Sequence, residues 1–181
     1  MTAAPAQVHL QVAEAGKRCA LRGDLQGALE RYRHALRLAL SQKANAVFLH
    51  HYTECILDAL EEAGHREQAL ETTERALAER PEGEGTLAQM VLASLSERHV
   101  LLLFQLGRVA DADAALADAL RFGGPVLKDV AEARRRRLTI TKAWIAGVKR
   151  RHRSATVREG VLRHSDAEAG ETYFKTERAD V

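Results

Sequence analysis

The stretch GDLQGALERYRHAL, beginning at Gly23, recurs as GHREQALETTERAL at Gly64 and as GRVADADAALADAL at Gly107, at spacings of 41 and 43 residues. Each copy places an alanine five residues after its glycine (Ala28, Ala69, Ala112). A second follows seven residues later (Ala35, Ala76, Ala119), with leucine next in every case (Leu36, Leu77, Leu120). Seven residues make about two turns of α-helix, so both alanines share one face, where small side chains let a neighbouring helix approach. The glycine ends the preceding helix by taking a left-handed backbone conformation. Such a hairpin cannot cover its own apolar stripe, so successive copies must stack.

Composition points the same way. Only 4% of the 181 residues are aromatic and three are proline, whereas the abundant Ala and Leu lose little on entering a helix. The pattern predicts seven helices, near 4–21, 25–42, 44–63, 66–80, 86–106, 109–122 and 126–151, and hence an all-α chain. RPEGEGT reads as a loop with Thr86 as candidate N-cap. FGGP closes the sixth helix, and Pro125 opens the seventh.

The repeated residues resemble the tetratricopeptide repeat family. In the first copy Gly16, Gly23, Ala28, Tyr32 and Ala35 fall where that family places its small and aromatic signature residues. The second copy keeps Gly64, Ala69, Ala76 and a terminal Pro81; the third keeps Gly107, Ala112 and Ala119. The resemblance spans about residues 8 to 122. The usual repeat is about 34 residues; these are longer, and Leu57 and Val100 stand where the first-helix glycine would be. That departure resembles the extended-helix variants of the family. The resemblance implies a right-handed stack of about three hairpins over residues 1–125. Leu127, Val130, Leu138, Ile145 and Val148 form an apolar stripe on a basic helix over 126–153, which would cap the open end. Trp144 lies off that stripe, nearer Ile140, and packs on the previous hairpin or meets a partner. Residues 154–181 read as a flexible charged tail, in which Tyr173 and Phe174 are either a short docking motif or an incidental pair.

Charge is unevenly distributed. The net +2 resolves into −5 over residues 1–133, +10 over 134–163 and −3 over the last eighteen. The positive block holds Arg134, Arg135, Arg136 and Arg137, then Lys149, Arg150, Arg151 and Arg153. Such runs attract phosphates or acidic protein surfaces, or are simply a solvated helix face. No aromatic platform and no recognised DNA- or RNA-reading motif accompanies them.

In tetratricopeptide-like stacks the first helix of each hairpin lines a concave groove. The resemblance assigns Lys17 to it from the first copy, and His51, Glu54, Asp58, Glu61 and Glu62 from the second. The third supplies Glu97, Leu101, Phe104 and Gln105. The groove expected is therefore acidic in the middle, with an apolar shoulder at Leu101 and Phe104. Only Lys17 fits the clamp that some members use for acidic C-terminal peptides. The groove is instead expected to take a basic, partly apolar peptide or helix, or the chain's own basic segment, or else to be an acidic solvated surface with no ligand.

Catalytic patterns are lacking: there is no GxxxxGK loop, nucleophile elbow or CxxC pair. His51 and Cys55 are one helical turn apart, with His50 and His65 nearby, but two ligands do not define a metal site. Cys19 and Cys55 read as buried free thiols. No run approaches the about 20 apolar residues of a membrane span, and the first nineteen residues lack a basic segment followed by an apolar run. The expectation is a cytoplasmic, non-enzymatic scaffold, adaptor or regulatory subunit with no cofactor or metal, whose stack ends leave a homodimer open. The alternative is a nucleic-acid-associated helical protein whose arginines contact phosphate.

Overall fold

The computed structural model describes residues 8–79 and 85–158, with side chains through His152. Among these residues the chain is all-α. Its helices are α1 (Val8–Leu21), α2 (Leu25–Ser41), α3 (Ala46–Glu62), α4 (Arg66–Ala78), α5 (Thr86–Gln105), α6 (Val109–Ala119, extended by a 3-10 turn Leu120–Phe122), α7 (Pro125–Arg135) and α8 (Lys142–Arg158). They fall into two compact units, α1–α3 up to His65 and α4–α8 from Arg66. Pro81 and the Tyr173–Phe174 pair lie outside the described residues.

The repeated glycines do what the spacing predicts. Gly23, Gly64 and Gly107 have φ of +78°, +82° and +77°. In each turn the glycine N–H bonds a carbonyl three residues back (Ala20, Glu61, Phe104), and the next N–H reaches back five (Cys19, Leu60, Leu103). This paired closure satisfies carbonyls that the helix end would otherwise leave bare. The residue after the glycine then opens the next helix. Asp24 accepts from Gly27 N–H at 2.9 Å through its side chain and from Ala28 N–H at 3.0 Å through its carbonyl. Arg108 accepts from Ala112 N–H in the same way. Ala28 and Ala112 are thereby held in register, and Ala28, Ala69 and Ala112 are all fully buried.

In the first unit α2 packs on both α1 and α3. Gly16 explains the aromatic partner of its repeat: a Cβ there would stand 2.8 Å from Tyr32 Cε1, so the absent side chain makes room for a ring that is 1% exposed. At the far end His9 Nδ1 lies 2.7 Å from the Tyr52 hydroxyl, with Phe48 edge-on to His9 at 5.1 Å. Burial pushes the Tyr52 phenol up to about 12.

In the second unit α5 is the central element. Val100, Leu101, Leu102, Leu103 and Phe104 are all buried, so this turn is enclosed on every side rather than along one stripe. α4 and α6 both pack on it. Its N-cap is Gly85 rather than the expected Thr86, which is the first helical residue. Contrary to the expectation that no run is apolar enough, α5 has the length and mean hydropathy (1.3 over 18 residues) of a membrane span, with half of that window buried inside the protein. Glu97 and Arg98 interrupt it midway.

The expected single helix over 126–151 is two helices. Arg137 turns left-handed at φ +56°, and Leu138 N–H reaches back to Ala133 O at 2.9 Å, which repeats the glycine closure without glycine. Thr139, Ile140 and Thr141 follow, a β-branched run unsuited to helix, and Thr141 Oγ1 caps α8 by accepting from Trp144 N–H at 3.1 Å. The break buries Ile140, Ile145 and Val148 but leaves Leu138 47% exposed, off the expected stripe. Trp144 is half-buried.

Two substitutions separate backbone conformation from packing. Nothing lies within 4 Å of a Cβ added at Gly64, so Gly64→Ala costs only the left-handed penalty, about 1–2 kcal/mol. Lys43 occupies the equivalent position after α2 at φ +49°, so Lys43→Gly gains up to about 1 kcal/mol once the looser unfolded chain is allowed for. Urea denaturation midpoints move in opposite directions for the two variants.

Candidate partner-binding surface

α3 carries the acidic residues assigned to the groove. The side chain of Asn45 caps the helix by accepting from Val47 N–H at 3.0 Å, and Tyr52, Cys55, Ile56, Leu57, Ala59 and Leu60 bury one side of it. The opposite side carries Glu54, Asp58 and Glu61, all half-buried, with His51 and Glu62 exposed. Positions 54, 58, 61 and 62 fall on successive turns, so the carboxylates form a stripe along α3. His50 Nε2 stands 3.9 Å from Glu54 Oε1, and His51 Nε2 stands 3.7 Å from Cys55 Sγ. Among the described residues no group of three or more His, Cys, Asp or Glu is placed to hold a metal ion.

The remaining groove residues are placed differently. Lys17 is buried, at 9% exposure. Leu101 and Phe104 belong to the enclosed turn of α5, at 1% and 5% exposure, so they are core and not an accessible apolar shoulder. They lie within the run Val100–Phe104, buried throughout, and have no free face. Glu97 is half-buried. Gln105 accepts from Arg66 Nε at 2.8 Å, tying the start of α4 to the end of α5.

The arginine block is largely answered from within the second unit. Arg134 grips Asp113 with two hydrogen bonds, at 2.7 Å from Nε and 2.5 Å from Nη2, and its guanidinium lies 5.7 Å over the Phe104 ring. Arg135 and Arg136 both pair with Glu132, the latter at 2.7 Å. Asp129 receives Arg151 at 3.1 Å and His152 at 3.0 Å. The Arg134 hydrogen bonds hold the Asp113 carboxyl below its ordinary range, and His152, then Arg151, do the same for Asp129. Arg137 and Lys142 are exposed beside the α7–α8 turn, Arg150 is exposed and Lys149 half-buried on α8. The side chain of Arg153 lies outside the described residues.

Three carboxylates therefore matter that the sequence pattern did not single out. Glu132 was readable, three and four residues before Arg135 and Arg136. Asp113 and Asp129 lie 21 and 22 residues from Arg134 and Arg151, and only the packing of the helices brings them together.

Both aspartates titrate below the ordinary 3.8. Their pairing holds in full above that pH and is lost as pH falls through the lower folded-state values. The double variant Asp113→Asn/Asp129→Asn has weaker pairs at neutral pH and loses less stability than the parent between about pH 5 and about pH 2, as read by denaturation midpoints across that range.

No protein-family model matches the chain, no curated protein is significantly similar to it, and no solved structure matches it.

Proposed function

We propose that this protein is a non-enzymatic helical-hairpin scaffold of tetratricopeptide-like character that binds a partner protein through the carboxylate stripe of α3. The single observation that carries the reading is that stripe: Glu54, Asp58, Glu61 and Glu62 line one side of a helix whose other side is committed to the core. Carboxylates in series recognise a basic peptide or helix, because each Coulombic contact adds to a field of one sign. Loss of Leu101 and Phe104 to the core makes the recognition more electrostatic than the sequence suggests. The α7–α8 block is an accessory surface for acidic groups. Four of its arginines already have carboxylate partners, which weakens the case for a dedicated phosphate track.

The test compares the parent with Glu54→Lys/Asp58→Lys/Glu61→Lys/Glu62→Lys as affinity baits in a nuclease-treated lysate of the source organism. At about 0.5 kcal/mol for each exposed contact, the four reversals lower partner affinity by at least about tenfold, and stoichiometric proteins held by the parent disappear. Equal retention by both baits rejects the α3 surface. Retention that vanishes with nuclease in both transfers the function to the arginines and nucleic acid.

A further inference from the structure

The second unit holds a cavity of about 540 Å³ between the end of α4, the middle of α5 and the end of α6. Leu77, Leu92, Ala115 and Phe122 give it apolar walls. His99 adds to one side, with its Nε2 held 3.3 Å from Glu74 Oε1. The volume lies within the range of about 300–1,000 Å³ typical of small-molecule sites. Three polar side chains of the lining are uncommitted. Ser96, on α5, is 9% exposed, lines the cavity and has no hydrogen-bond partner among the described residues. A hydroxyl taken out of water in this way calls for a partner. Asp118 and Arg121 are exposed at the mouth, three residues apart. Neither has an ion pair or a hydrogen bond among the described residues. The Arg121 guanidinium lies over the Phe122 ring, 4.8 Å from its centre.

We infer that this cavity binds a small zwitterion the size of a dipeptide. The two opposite charges at the mouth select it: Arg121 receives a carboxylate and Asp118 an ammonium group. A ligand of one sign is disfavoured, because one of the two would then meet a like charge. Side chains three apart on a helix stand about 5–6 Å from one another at Cβ, and the two ends of an extended dipeptide are about 6 Å apart. The ends of a single α-amino acid, joined through one Cα, are only about 2.5 Å apart and do not span that distance. The apolar walls take the side chains of the ligand, and Ser96, the most buried polar group of the lining, takes a polar tip that reaches inward. A second side chain that ends in a hydroxyl, as tyrosine does, supplies such a tip. The cavity shares no residue with the α3 stripe, so this inference stands or falls separately from that surface.

The test titrates the isotopically labelled full chain with the dipeptide Leu-Tyr and follows amide chemical shifts by NMR. The comparison ligands are its N-acetyl form, its C-terminal amide, Leu-Phe and free L-tyrosine. Leu-Tyr binds at least about threefold more tightly than each of them, the range of one exposed charge contact or one hydrogen bond. Asp118→Asn removes the preference over the acetylated form, Arg121→Gln the preference over the amide, and Ser96→Ala the preference over Leu-Phe. Such matched losses separate direct contact from a general disturbance of the fold. Ala115→Trp, which fills the cavity, weakens every ligand, and the α3 charge-reversal variant weakens none. No binding of Leu-Tyr overturns the proposal, and so does equal binding of the acetylated and amidated forms. Equal binding of L-tyrosine overturns the dipeptide assignment. Preferences that survive in all three single variants place the binding elsewhere and overturn it as well.

Discussion

Everything in this chain hangs on how its helices stop. Five of the eight described helices end in the same pair of backbone hydrogen bonds around one left-handed residue. In three of them that residue is the repeat glycine. After Gly23 and Gly107 the next residue closes one helix with its N–H and starts the following helix with its carbonyl, so almost no chain is left over between α1 and α2 or between α5 and α6. The alanine five residues beyond each glycine is fully buried. Packing, core and exposed faces all follow from that local geometry.

This is why so much of the fold was legible. Glycine and alanine at fixed offsets are a direct imprint of backbone conformation and interhelix distance, and where the expected bounds of the first six helices fall on described residues, the helices lie within a few residues of them. Legibility failed where the same physics used other residues. Arg137 makes the left-handed closure with a side chain that costs about 1–2 kcal/mol relative to glycine, and a reader looking for glycine runs the helix straight through it. The site was less legible than the fold. The α3 carboxylates could be found because a helix period puts them on one side. The fate of Leu101 and Phe104 could not, since a continuous apolar run gives no face to choose between.

Electrostatics separates two meanings of a charge run. Counted along the chain, residues 134–163 carry +10. In the fold, Asp113, Asp129 and Glu132 lie against several of those cations and pin α7 to α6 and to α8. The run is thus partly mortar. The α3 stripe is laid out by the period of a single helix.

The enclosed turn of α5 has a consequence for how the protein is made. A turn with apolar residues on every side has no face that tolerates water, and it satisfies them only when helices on both flanks are present. During synthesis α5 leaves the ribosome with α4 already made and α6 still inside the tunnel, so for some seconds half of its covering does not exist. The apolar turn is open to self-association in that interval, which ends when the third repeat glycine turns the chain back.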